Sequence, residues 1–320
     1  MLRFIVTRLL SSILGLWIVS VLSFLLMNVL PGDPTVQIAG IGATPELIEH
    51  TKERLGLNDP LPERYARWLL RLLQGDLGLT LLAQLDQNEI FRHRIPPTVE
   101  LGVLSLFVVV VVAVPVGILA ALRPGSKREV VASTAMIGGN SIPEFLTGIA
   151  LIILIGVELD LLPVLGYVPI WEDPVENLKH MAMPVIAVSL TTTALLMRQT
   201  RSAMINVLND DYIRTARAKG LPARVVLLRH GLRNALIPIV TVFGFQAGLI
   251  FSGSVVTETV FGIPGMGRFF VRTVVETQDY LVVQNLVMFF AVCIVIVNLL
   301  VDLSYPLLDP RIRSGRGGNA

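Results

Sequence analysis

The chain has 320 residues, 53% hydrophobic and 16% charged, with a formal net charge of +2 and a mean hydropathy of +0.70. Soluble domains carry about 25% charged residues, so this composition excludes a soluble globular protein and describes one embedded in a bilayer. The single cysteine, Cys293, lies in an apolar run and excludes an intrachain disulfide.

A helical crossing needs about 20 mostly apolar residues. Residues 9–30 carry no charge and form the first. The run is too long for a signal-peptide core, and Leu30-Pro31-Gly32-Asp33-Pro34 follows with no small-residue cleavage pattern, so it is expected to stay as an anchor. Residues 31–97 form an external segment. Thr44-Pro45-Glu46 has the pattern of a helix start, a cap followed by proline at the first helical position. Residues 63–73 place arginines, Trp68 and leucines at helical spacing. Short helices lying at the outer membrane face are expected here; a surface cap with no ligand contact has the same pattern.

The second span is 101–122, with Pro115 as an expected kink, and the third is 130–157, containing Gly138, Gly139, Asn140, Ser141, Pro143 and Glu144. The fourth is 183–204, the fifth 236–257 and the sixth 281–301. Lysine and arginine near the span ends set orientation. They cluster before span one (Arg3, Arg8), between spans two and three (Arg123, Lys127, Arg128), between four and five, and at the end (Arg311, Arg313, Arg316). The segment between spans three and four instead carries Glu158, Asp160, Glu172, Asp173 and Glu176 against Lys179. With six spans every basic cluster falls on one side, so both termini are expected in the cytoplasm.

The loop between spans four and five, 206–235, is more than a connector. Asn209-Asp210-Asp211 offers caps for a helix start, with negative charge at its positive end. A short helix is expected over 212–219, Gly220 suits a left-handed C-terminal position, and Pro222 permits a second helix running into span five. Ala216 and Gly220, four apart, form a small-residue patch rimmed by Arg214, Arg217 and Lys219. A helical positive-inside loop, or a basic helix lying on anionic headgroups, has the same composition.

Polar residues inside spans are costly and mark a cavity or a partner. Asn140, Ser141, Glu144 and Gln246 are the candidates for a translocation path, Glu144 first among them. Thr191-Thr192-Thr193, Ser252 and Ser254 fit a helix-joining role as well as a path, and for Glu144 both readings stay open. Residues 257–265 are expected to form a short re-entrant helix near the outer mouth, with Arg268 and Arg272 facing a partner or solvent. The last residues, 314–320, have the composition of a disordered tail.

The chain contains no G-x-x-x-x-G-K-[ST] phosphate loop, no H-E-x-x-H and no Gly-x-Ser-Gly element. His50, His93, His180 and His230 are scattered without metal-ligand spacing. Neither an enzyme activity nor a cofactor is expected of it.

Five pieces in order, LPGDP at 30–34, GDLG at 75–78, RTARAKG at 214–220, VVTETVFGIPGMG at 255–267 and NLLVDLSYPLLDPRIR at 298–313, resemble the permeases of bacterial ABC importers, in the oligopeptide/dipeptide branch. That family's cytoplasmic loop is named for a Glu-Ala-Ala triplet with a glycine six residues after the glutamate. Arg214, Thr215 and Ala216 stand at the triplet here, and Gly220 at the glycine. The departures are Arg214, Thr215 and, where a proline is usual thirteen residues after the glycine, Arg233 with a proline at Pro238 instead. The resemblance implies an all-α integral membrane protein: six transmembrane helices, a cytoplasmic coupling helix and a helical external segment. Its parts are the N-terminus with span one (1–30), the external segment (31–97), the permease core (98–305) and a cytoplasmic tail (306–320). It implies that Arg214, Thr215, Ala216, Arg217, Lys219, Gly220 and Leu221 dock on an ATPase. It also implies a second homologous permease, two cytoplasmic ATPases, an external substrate-binding protein, a bacterial cytoplasmic membrane location and no nucleic acid. Di- or oligopeptides are the expected cargo; nickel, glutathione and oligosaccharide importers share this permease type. An ion-coupled secondary transporter is the rival class; it predicts internal repeats, broken helices and a buried carboxylate coupled to ions, and no clear internal repeat is present.

Overall fold

A computed structural model describes residues 2–29, 44–81, 83–122 and 125–308. Five of its helices are long and apolar enough to cross a membrane: α1 (Leu2–Val29), α4 (Gln87–Leu122), α7 (Pro174–Leu208), α9 (Arg233–Val260) and α11 (Tyr280–Leu308). Between α1 and α4 lie α2 (Pro45–Leu55) and α3 (Leu61–Leu73).

The expected third span is not one rod. Helix α5 (Lys127–Ser141) stops, and α6 (Glu144–Leu151) restarts and continues in wide i→i+5 turns over Ile152–Glu158. Pro143 causes the break. Its ring disfavours helical geometry at the preceding residue, and Ile142 is extended at φ −97, ψ 121. Gly138 and Gly139 stay helical. Helix α4 runs unbroken through Pro115.

The core forms where α4 meets α7, with α9 behind them. Leu101, Val109 and Ala113 of α4 meet Met181, Met183, Leu196 and Met204 of α7, and Ile239 and Ile250 of α9. Within the apolar windows, 67% of α7 is buried against 17% of α1. Helix α7 is therefore central, while α1 presents most of its leucines outward and packs on α11 and α3.

The segment between α1 and α4 follows the sequence closely. Thr44 caps α2 by accepting from the Leu47 amide at 3.4 Å, and Gly56 ends it in the left-handed region. One face of α3 docks on α1: the Tyr65 and Trp68 rings lie 5.5 and 6.3 Å from that of Phe24, and the Tyr65 and Ser20 hydroxyls share a 2.8 Å bond. Farther along the chain, residues 257–260 are the last turn of α9 rather than a re-entrant helix. A turn over 261–265 leads into α10 (Met266–Arg272), then wide turns over Thr273–Thr277. The LPGDP motif and residues 309–320 lie outside the described residues.

Candidate functional site

The loop after α7 folds as helix, turn and helix. Helix α8 spans Asp211–Ala218. Its entry differs from expectation: Asp210 is extended, but its side chain caps no amide. Its exit is a left-handed turn. Gly220, at φ +75, donates to the Arg217 carbonyl at 2.9 Å, and Leu221 donates to the Ala216 carbonyl at 3.4 Å. These two bonds satisfy the carbonyls that a helix end leaves open. Pro222 then starts a single turn, Ala223–Val225, followed by wide turns over Val226–Leu232 that run into α9.

Eight residues are too few for a stable isolated helix; packing holds α8. Ile213, fully buried, and Ala216 close on Val226. Burying an isoleucine contributes about 1.5–3 kcal/mol. The Tyr212 hydroxyl accepts from the Asn234 amide at 2.8 Å and donates to the His230 carbonyl at 3.4 Å, tying α8 to the base of α9. The small residue at 216 thus serves an approach by the chain's own second arm. Arg214, Thr215, Arg217, Lys219, Gly220 and Leu221 are exposed, as is Arg224. The result is a braced knob whose outward surface carries Arg214, Arg217 and Lys219 beside Thr215, Leu221 and the Gly220 backbone.

The path candidates are spread out. Glu144 opens α6 at the Pro143 break and accepts a short hydrogen bond from the Thr257 hydroxyl, joining the broken helix to α9. Gln246 is buried in α9, and Ser141 is exposed with its hydroxyl on the Ile137 carbonyl of its own helix. Asn140 lies in α5, and its side chain falls outside the described residues. Thr191 donates to the Gly139 carbonyl at 3.4 Å, and Thr192 and Thr193 are buried in α7.

Two polar clusters escaped the sequence reading. In the first, Glu258 is fully buried and accepts from the Thr98 hydroxyl at 2.6 Å and the Arg268 amide at 2.9 Å. Thr98 in turn accepts from the Met266 amide at 2.8 Å. The carboxylate thus pins the first amides of α10 to α4 and α9. A Cβ on Gly265 would clash with that carboxyl group, so the IPGMG string is the shape that lets the chain wrap Glu258. The VVTETVFGIPGMG string at 255–267 was visible; its target, Glu258 within it and Thr98 far from it, was not.

In the second, Asn285 of α11 donates to the Leu77 carbonyl and the Gln87 side chain, both at 2.9 Å, and accepts from the Trp68 indole at 3.0 Å. Asp279 accepts from the Leu81 amide at 2.6 Å. Burial pushes its carboxyl above the usual range against the pull of those backbone donors. Burial, then the Glu100 carboxylate that Tyr167 bonds at 2.7 Å, pushes the Tyr167 phenol upward as well.

Comparison with known proteins gives a consistent set of relatives. Residues 113–314 match the family model described as binding-protein-dependent transport system inner membrane component, and residues 1–81 match the model for the N-terminal region of such components. A probable peptide ABC transporter permease of Sinorhizobium fredii is 37% identical, covering 97% of this chain and 99% of the relative. The dipeptide transport system permease of Escherichia coli K12 is 37% identical, with 98% and 99% coverage. The glutathione transport system permease of Escherichia coli O6:H1 is 38% identical, also with 98% and 99% coverage. Among solved structures, the methionine ABC transporter in an inward-facing conformation shares the fold. The TM-score is 0.56 at 16% identity, over 69% of this chain and 96% of that one. An amino acid ABC transporter matches with a TM-score of 0.51 at 14% identity, over 68% and 93%.

Proposed function

The chain belongs to the family of binding-protein-dependent transport system inner membrane components, and from that premise we propose that it forms half of the path by which di- and oligopeptides enter a bacterial cell. One observation carries the cargo class: the identity to peptide, dipeptide and glutathione permeases runs over nearly the whole length of both chains. A second homologous permease supplies the other half of the path. An external substrate-binding protein delivers the cargo, and two cytoplasmic ATPases hydrolyse the ATP. The broken helix 127–158 is the third of six crossings, since counting it as one puts every basic cluster on the cytoplasmic side together with both termini.

Arg214, Thr215, Arg217, Lys219, Gly220 and Leu221 form the docking knob, and Ala216 anchors it from within. ATP-driven closure of the motor pair moves this knob, and the brace of Ile213, Tyr212 and Val226 passes the movement to α7 and α9. A floppy loop would absorb the displacement instead. Asn140, Ser141, Glu144 and Gln246 line or gate the path, and Glu144 is set at the Pro143 break, where this crossing can bend. Glutathione, itself a small peptide-like solute, is the second reading, favoured by the 38% identical glutathione permease.

The test is ATP-dependent uptake by the reconstituted complex, with dipeptides and longer peptides first, then glutathione and nickel. Peptide-driven accumulation is expected. Gly220→Glu or Lys219→Glu should abolish it while the protein still inserts. Normal uptake by these variants removes the docking role, and transport of nickel alone replaces the cargo.

A further inference from the structure

A cavity of about 550 Å³ opens at the outer end of α1, bounded by that helix end, the α2–α3 turn, α3, residues 76–81 and the first turn of α11. It lies at the opposite end of the molecule from the α8 knob. Its lining is unusually basic for so apolar a chain: Lys52, Arg64, Arg67 and Arg71 against the single acid Asp76. The three arginines recur on one face of α3 at helical spacing. Asp76 is already engaged, accepting from the Gly78 amide at 2.9 Å. Arg67 pairs with Asp59 at 2.6 Å and Arg64 stands over the Phe24 ring, while Arg71 makes no ion pair among the described residues. Burial lowers the Arg64 pKa, Asp59 opposes it and Arg67 adds to it, so the site favours an incoming anion.

The cavity wall holds one more donor. Gln284 of α11 is 3% exposed and lines the cavity, and its Nε2 finds no acceptor among the described residues. Buried side-chain amides are ordinarily satisfied, so this one lacks an acceptor oxygen. Guanidinium forks, with a donor amide in the wall, suit a group with several oxygens in fixed geometry, as in phosphate. The site also lies where the apolar window of α1, Ile5–Asn28, ends, which is headgroup depth. Leu22, Leu25 and Leu26 of α1 and Leu70 and Leu73 of α3 are exposed on the helices that wall it.

We propose that this cavity binds the phosphate of an anionic phospholipid headgroup, with the acyl chains lying against the exposed leucines of α1 and α3. The bound lipid completes the hydrogen bonding of Gln284 and cements the external segment to the membrane. The assignment is independent of the solute that the path carries.

Native mass spectrometry of the complex in detergent, titrated with phosphatidylglycerol or phosphatidylcholine, tests it. Phosphatidylglycerol is expected to be retained preferentially. Arg71→Gln should weaken that retention about fivefold, and Arg64→Gln with Arg71→Gln together more than tenfold. Gln284→Leu, which keeps the side-chain bulk and removes the donor, should also weaken it with an unchanged elution profile; this variant keeps the test valid should the double arginine variant fail to fold. Equal retention of both lipids, or wild-type retention by all variants, overturns the site. Displacement of the lipid by millimolar inorganic phosphate, with phosphate binding showing the same variant dependence, overturns the lipid assignment in favour of a free anion.

Discussion

Gly220 separates two explanations for the knob. Its backbone sits at φ +75, and no atom lies within 4 Å of the position a Cβ would take. An alanine there therefore meets no clash inside the chain and feels only the left-handed backbone cost, about 1–2 kcal/mol for an L-residue. That disfavours the native turn by a factor of about 5–30, and with it the bonds from Gly220 to Arg217 and from Leu221 to Ala216. Asparagine visits this region more readily than alanine although it is larger. If the backbone conformation is what coupling needs, ATP-dependent uptake at matched membrane levels should fall in the order Gly, Asn, Ala, Val. Co-purification of the ATPase should fall in the same order. If Asn proves worse than Ala, the motor's surface at this point excludes side chains and the backbone argument is refuted; equal uptake across the series removes Gly220 from coupling altogether.

Gly265→Ala should lower the Tm of the detergent-solubilised protein by several degrees, because its Cβ would clash with the Glu258 carboxyl group. Glu258→Ala should do at least as much by leaving the Thr98 hydroxyl and the Arg268 amide without their acceptor, at about 1–3 kcal/mol per buried group; thermal unfolding measures both. Asn285→Ala removes three hydrogen bonds that hold residues 68, 77 and 87 to α11, and limited proteolysis within 44–81 should become markedly faster. A double-mutant cycle on Glu144→Gln and Thr257→Val should return a coupling of about 1 kcal/mol in stability, within the range for hydrogen bonds between membrane helices; a value near zero would show that the two do not act together.

Much of this architecture was legible because the bilayer imposes one rule: apolar length. All five continuous crossings lie where the hydropathy put them, and the Thr44 cap, the α3 register and the Gly220 turn followed from local backbone chemistry. The misses have a common cause. The third segment was expected as one span, but the missing N–H and ring clash of Pro143 break it. The sequence offered Ala216 as an open patch, yet it turns inward, because the partner that needs it small, Val226, is ten residues away across a turn. Glu258 and Asn285 draw their partners from 160 and 208 residues away. No local periodicity reports such pairings; the IPGMG string shows only half of one.

The inward turn of Ile213 and Ala216 has a further consequence. With Ile213 and Ala216 spent on its own second arm, the α8 knob turns outward guanidinium and ammonium groups, Leu221 and a bare glycine backbone. If it docks on a partner as proposed, attraction between charges steers the encounter and dissolved ions weaken it. Assembly of the transporter should thus loosen in brine while its membrane half stays intact.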